Sequence, residues 1–367
     1  MATESTAGWQ PDWAVPPGDI LLELLEDRGM TQAELARRMD RPLKTINEIV
    51  KGKAAITPET AIQLERTLGT TARFWNSLES SYREFLARKA ADLELESEAS
   101  WLDRFPMKDL ERNGMVRRRV TKAEALADLL GFFGLSSRSA WERTWLRQTA
   151  SFRKSHAFRS DPEAVSVWLR WGELQAAHIS SDPFDRRRLR EVLQEVRPLT
   201  AQEPAASAVQ EAQALCASCG VVLVMTPELK GAPVSGAVRW LSANRTLIQL
   251  SLRYKSSDQF WFSLFHEAGH LLSAASRQDC LDEFGANAVD AEAEIAADLF
   301  ARDQLIPPGE YDAFVRSSEI TIASIRAFAA RLRVAPGIVV ARLQHDQVIL
   351  RSQFNSLKRP LHWITQP

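Results

Sequence analysis

Between Gly18 and about Tyr82 the apolar residues come in short runs at helical spacing. Ile20, Leu21, Leu24 and Leu25 make the first stripe, and Gly29 stops it. Thr31 and Glu34 stand three apart at the head of the next run, the arrangement of a capping box. A second helix is therefore expected to start at Gln32 and to bury Leu35, Ala36 and Met39. A turn at Asp40-Arg41-Pro42 leads into a third helix from about Leu43 to near Gly52, with Ile46, Ile49 and Val50 inward. Two short helices around a tight turn are the helix-turn-helix pattern, whose second helix lies in a major groove. Its outward residues Lys44, Thr45, Asn47, Glu48 and Lys51 are then the ones able to reach base edges or phosphates of double-stranded DNA. Residues 1–16 hold Pro11 and Pro16 with few periodic apolar positions and read as an irregular arm.

Residues 83–204 continue in helical patterns. Thr121 and Glu124 form another capping box, and Asp161-Pro162-Glu163 sets an N-cap Asp and a first-turn Pro at the head of a further helix. Trp141, Trp145, Trp168 and Trp171 fall at i, i+4 and i, i+3 spacing, which predicts core packing. The triplets Arg117-Arg118-Arg119 and Arg186-Arg187-Arg188 could touch nucleic acid, although exposed basic triplets are commonly just solvated faces. The polar stretch from Pro198 to Pro204 predicts a boundary.

Beyond it the period changes. A helix through Ala208–Cys219 is followed by three strands, Val221–Met225, Gly236–Leu241 and Thr246–Leu252, with a turn near Asn244. Thr246–Leu252 is expected to offer its edge to an extended peptide, because strand addition binds backbone irrespective of side chains. Cys216 and Cys219 are a CxxC without a second pair to complete a zinc site. They lie at a helix carboxyl end, where the dipole disfavours thiolate, so both are expected to be buried thiols.

The segment Phe260 to Leu272 contains His266-Glu267-Ala268-Gly269-His270. Histidines four apart on a helix sit one turn apart on the same face and can aim both imidazoles at one ion. Glu267 lies about 100° round the helix, where a carboxylate reaches the reacting water without ligating the metal, the place of a general base. A catalytic zinc site also needs a third protein ligand and an open fourth position. Downstream, Asp290–Ala301 is helical and acidic. Glu294 and Asp298 stand one turn apart there, so Glu294 is expected to ligate while Asp298 fixes the tautomer of a ligand histidine, with Glu292 as the competitor for the ligand role. Tyr254, Arg342 and His345 are available as oxyanion donors, His345 being preferred.

Composition narrows the class. A chain of 367 residues, 45% apolar and 25% charged, with eleven tryptophans, is folded and of more than one domain. No window approaches the roughly 18 unbroken apolar residues of a membrane span, and the amino end lacks the features of a signal peptide, so no membrane contact and a cytoplasmic location are expected. Three cysteines exclude a disulfide framework. Forty-six basic against 47 acidic residues leave a net charge of −1, so contact with a polyanion must be local. Residues 37–53 supply that locality: Arg37, Arg38, Arg41, Lys44, Lys51 and Lys53 stand against Asp40 and Glu48.

Two resemblances add to this reading. The run from Pro17 to Tyr82, with MTQAELA, KGKAAITPETA and LGTTARFWNSLESSY, is similar to the DNA-binding domain of HigA-type antitoxins and Xre-like repressors. This implies a homodimer on a palindromic operator, with Lys44, Thr45 and Asn47 at matching recognition-helix positions. HEAGHLL followed by EAEIAADLFARDQLIP resembles ImmA/IrrE-type metallopeptidases, relatives of thermolysin-like gluzincins, in which the glutamate ligand stands six residues before a Phe-Ala. Counting back from Phe300 gives Glu294, with Asp298 at the position usually held by Asn or Asp. Ala296 departs from a second glutamate common in that family. The similarity runs from about residue 206 to the GIVVARLQHD segment and implies one Zn2+ per chain and peptidase activity on DNA-binding repressors.

The expected fold is α+β, mostly α. It comprises the arm 1–16, a five-helix helix-turn-helix DNA-binding domain over 17–82, a helical middle region over 83–204 and a gluzincin-like metallopeptidase with a small β-sheet over 205–367. The expected function is a zinc endopeptidase fused to a DNA-binding domain, regulating transcription in a stress, phage or toxin–antitoxin setting. Its protein substrate would be a repressor, an antitoxin or the chain itself, cut after a signal such as single-stranded DNA. The alternative is a HigA-like antitoxin or repressor with a non-catalytic metal site.

Overall fold

The structure is a computed structural model that describes residues 13–118, 120–155, 161–251, 253, 255–273, 291–317 and 319–361. Most of the arm, Arg119, Leu252 at the end of the third strand, Tyr254 and Asp290 lie outside the described residues. The chain divides into two compact units, one running to Ser100 with Thr121–Glu124 added, the other holding Trp101–Val120 and everything from Ala125.

The first unit consists of α1 (Pro17–Asp27), α2 (Gln32–Arg38), α3 (Leu43–Val50), α4 (Pro58–Leu68) and α5 (Ala72–Glu98). Three threonines start three of these helices: the hydroxyls of Thr31, Thr57 and Thr71 accept the backbone N–H of Glu34, Thr60 and Phe74. The capping box at Thr31 differs from expectation in its second half. The Glu34 carboxylate is held by Arg37 and Arg38, guanidinium donors that bind a carboxylate more strongly than one backbone amide does. The inward stripes meet as expected, with Leu21, Leu25, Leu35, Ile46, Leu64 and Trp75 all buried in one cluster. Glu79 of α5 enters this unit and accepts the N–H of Ile56, tying down the segment after α3. The fifth helix runs on sixteen residues beyond Tyr82.

After α5 the chain forms α6 (Met107–Arg112), α7 (Lys122–Phe133), α8 (Arg138–Ser155) and α9 (Pro162–Ala176). At Thr121 and Glu124 both halves of the capping box form. Asp161 occupies the N-cap of α9 without capping it through its side chain, and the helix start relies on Pro162. Trp141, Trp145, Trp168 and Trp171 are all buried, as their spacing predicts.

Next come α10 (Arg186–Val196), α11 (Ala205–Ala217) and the strands β1 (Val221–Met225), β2 (Gly236–Ser242) and β3 (Arg245–Leu250). The sheet order is β1-β3-β2, with β1 parallel and β2 antiparallel to β3. This corrects the expectation for Thr246–Leu252. Its strand is central and spends its hydrogen bonds on both neighbours, so it has no edge to offer a substrate; β2 is an outer strand.

Along β1 the side chains alternate between layers. Val221 and Leu223 join the cluster of α10, α11 and the later helices, whereas Val222 and Val224 pack with Ala176 of α9. A sheet covered on both faces explains why this strand reads as an unbroken apolar run. Leu189, Val192 and Val196 of α10 share the larger cluster with Phe265, so elements on both sides of Pro198–Pro204 build one core. Cys216 and Cys219 are buried, and burial pushes the Cys219 thiol up to about 11, which keeps it protonated and unreactive.

The chain ends with α12 (Ser257–Ser273), α13 (Ala291–Leu305), α14 (Pro308–Ser317), α15 (Ile322–Leu332) and α16 (Pro336–His345). The whole is mostly helical with one small sheet, as expected. No helix among the described residues is long and apolar enough to cross a membrane.

Candidate metal centre

The helix α12 is anchored by its apolar faces, with Phe260, Trp261, Leu264, Phe265, Ala268 and Leu271 buried. Its register therefore fixes where His266, Glu267 and His270 point. The partner helix α13 comes close because the crossing is built from small residues. A Cβ on Gly269 would stand 3.2 Å from the Ala297 Cα and 3.1 Å from a Phe300 ring carbon, tighter than ordinary packing. The glycine inside the HExxH motif thus sets the distance between the two helices that carry the polar groups.

At that crossing three side chains meet. His266 Nε2 and His270 Nε2 are 3.1 Å apart, and the Glu294 carboxylate oxygens lie 3.4 Å from the first and 3.5 Å from the second. Among the described residues, the ligand-type atoms that gather within 4.8 Å of one another are those of His266, His270 and Glu294. Zinc bonds of about 2.05 Å at tetrahedral angles hold ligand atoms about 3.3 Å apart, so the observed spacings suit such an ion. Glu292 is exposed.

Asp298 accepts from His266 Nδ1 at 2.8 Å, which orients the ring with Nε2 toward Glu294 and His270. The electrostatics also call for a cation. Burial alone would push the His266 imidazole down, yet hydrogen bonds to Asp298 and Glu294 outweigh it and raise it to about 10. Burial likewise acts to raise Glu294, but bonds from both histidines bring it below the usual carboxylate range. The donor set, two imidazoles among carboxylates, is borderline-soft and suits zinc.

Glu267 is 8% exposed, and burial pushes its carboxyl above the ordinary value. It faces β2 at Gly236, where a Cβ would stand 2.9 Å from the Glu267 Cδ and closer still to Oε1. The strand backbone and the carboxylate therefore occupy space that no larger residue leaves free. Sequence reading missed Gly236. The only local signal is a glycine at the head of a strand, which commonly marks a close approach.

Of the oxyanion candidates, Tyr254 lies outside the described residues. Arg342 pairs with Asp346 through Nε and stacks 4.2 Å over the Tyr311 ring, and its buried Nη1 has no hydrogen-bond partner among the described residues. His345 is exposed, with Nδ1 at 3.1 Å from Asp346. It borders a cavity of about 450 Å³ between α12, α13 and α16 that Asp298 also lines, and it stands outside the three-residue cluster.

In the first unit, α3 buries Ile46 and Ile49 and leaves Lys44, Thr45, Asn47 and Glu48 on its other side. Lys44 is largely exposed and lies 3.8 Å from Glu48, a pairing weak enough in water for a phosphate to displace. Lys51 is the C-cap, one residue past the helix.

Comparison with known proteins agrees with this division. Residues 21–75 match the family described as helix-turn-helix, and residues 222–344 match the family described as IrrE N-terminal-like domain. Over 77 residues the chain is 35% identical to the uncharacterized HTH-type transcriptional regulator YddM of Escherichia coli K12, covering 21% of this chain and 82% of that protein. Virulence-associated protein A of Dichelobacter nodosus is 37% identical over 68 residues, covering 18% of this chain and 67% of that protein. An addiction module antidote protein of the HigA family from Coxiella burnetii shows 33% identity over 23% of this chain and 92% of its own, with a TM-score of 0.21. The Pseudomonas aeruginosa antitoxin HigA, solved with the higBA promoter, shows 34% identity over 23% of this chain and 95% of its own, with a TM-score of 0.22. The chain therefore belongs to the helix-turn-helix-type regulators through its amino-terminal domain, and its residues 222–344 match an IrrE N-terminal-like domain.

Proposed function

We propose that this chain is a homodimeric, DNA-binding regulator whose carboxy-terminal domain is a zinc-dependent endopeptidase. Its substrate is a repressor or antitoxin, or the chain itself, and a signal such as single-stranded DNA releases the activity. The observation that carries the reading is the convergence of His266, His270 and Glu294 at 3.1–3.5 Å beside the buried Glu267. A purely structural site has no use for that fourth group.

His266, His270 and Glu294 would hold the zinc, which when bound would supply Lewis acidity toward the scissile carbonyl and acidify the attacking water. The protein does the rest. Asp298 keeps the His266 ring in one tautomer and orientation. Glu267, largely buried beside the cluster, takes the proton of the attacking water and returns it to the leaving amine, and a pKa raised by burial suits both transfers. The outer strand β2, which meets Glu267 at Gly236, is the strand we assign to the extended substrate in place of β3. For the oxyanion, His345 remains the proposed donor, reaching the substrate across the cavity it shares with Asp298.

Elemental analysis of the purified chain tests the metal site. About one zinc per chain is expected in the wild type, with clear loss in His266→Ala and in Glu294→Gln. Zinc content indifferent to both substitutions would leave a DNA-binding regulator with a vestigial peptidase fold.

The DNA-binding half is tested separately. Lys44→Ala is expected to weaken operator binding by about tenfold and to lower the salt dependence of affinity by about one phosphate contact. Unchanged affinity and salt slope would remove Lys44 from the DNA surface.

A further inference from the structure

The long helix α5 carries one stripe through two environments. Trp75 and Glu79 lie on it and are buried in the first unit. The same stripe, continued at spacings of three and four, reaches Leu86, Ala90 and Leu93, where it meets solvent: Leu86 is 37% and Leu93 60% exposed. Two leucines a heptad apart with a small residue between them are the seam of a helix pair. They stand past the end of the small core that uses the rest of the stripe.

The charges beside this seam are segregated along the helix. Arg83, Arg88 and Lys89 lie on the amino-terminal side of Ala90, opposed only by Glu84. Asp92, Glu94, Glu96 and Glu98 follow on the carboxy-terminal side. Arg83 and Arg88 are partly satisfied within the helix by Glu79 and Glu84, whereas Lys89 and Glu96 form no ion pair among the described residues. A helix basic at one end and acidic at the other repels a parallel copy of itself and attracts an antiparallel one.

From this complementarity we infer that residues 83–98 of α5 form the self-association surface of the protein, pairing antiparallel with the same segment of a second copy. In the register that sets Leu93 against Ala90 of the other copy, Lys89 of each chain stands opposite Glu96 of the other. Two-fold symmetry makes every favourable contact occur twice. The inference rests on the reading of the chain as a homodimer and adds the surface that makes it one.

Sedimentation equilibrium of the full chain tests it, with circular dichroism as the check on folding. Wild type is expected to be a dimer at micromolar concentration, and Leu93→Asp, at an exposed position, a folded monomer. Lys89→Glu and Glu96→Lys are each expected to weaken the dimer by about tenfold, and the double exchange to restore it, because only antiparallel pairing opposes these two positions. A dimer unaffected by Leu93→Asp and by both single charge changes would overturn the surface and leave the homodimer standing. A monomeric wild type would overturn both.

Discussion

Glu267→Gln is expected to keep its zinc and lose proteolysis by a factor of about 10² to 10⁴, the usual contribution of a positioned general base. The two properties separate because the atoms that could hold the metal belong to His266, His270 and Glu294, whereas Glu267 approaches from the β2 side. Glutamine has the same shape, so the packing around this buried side chain survives while the proton acceptor is gone. Cleavage of a co-expressed repressor or antitoxin, followed by gel and mass spectrometry, is the readout, together with zinc content. The same assay, run with and without single-stranded DNA, reports on latency. Wild-type cleavage without any addition would remove the latent state, and equal cleavage by Glu267→Gln would remove this residue from the chemistry.

Gly236→Ala should produce a comparable phenotype from a residue that carries no functional group. The added methyl enters the space of the Glu267 carboxyl group, the far end of a flexible side chain that gives way more easily than backbone. The fold is therefore expected to tolerate the change, with stability altered by about 1 kcal/mol. The displaced carboxylate is expected to cost about 10²-fold in cleavage, as a misplacement of about 1 Å does in positioned catalysis. Zinc content should remain near one per chain, because the added methyl meets Glu267 and not His266, His270 or Glu294. Full activity in a folded, zinc-loaded Gly236→Ala protein would show that β2 does not constrain the base.

These two positions differ in how they can be found. Glu267 stands out in the sequence because its neighbours His266 and His270 declare a helical face by spacing alone. Gly236 declares nothing, since its importance depends on a side chain thirty-one positions away that the strand meets only in the folded molecule. Gly269 is intermediate: its place within the motif is visible, but its task of letting α13 approach depends on Ala297 and Phe300. The position of Glu294 beside both histidines was legible because it shares with Asp298 the one-turn spacing that serves His266, and Glu292 on the next face does not.

The sequence by itself determined what short-range physics controls. Thr31 caps its helix, apolar residues three and four apart make Leu21, Leu35 and Ile46 face inward, and the short unbroken apolar run Val221–Met225 makes a buried strand. Such contacts involve residues a few positions apart, and no other part of the chain is needed to choose them. The tertiary structure alone decided which strand is central, which carboxylate reaches two histidines, and that α10 joins the core of the later elements. It also decided how far α5 extends beyond Tyr82. Each of these depends on groups separated by tens of residues, whose meeting is set by the burial of whole faces and not by local preference. Thr246–Leu250 illustrates the point. Its side chains specify a buried strand equally well at the edge or the centre of a sheet, and the two partners that hydrogen-bond to its backbone made it the centre.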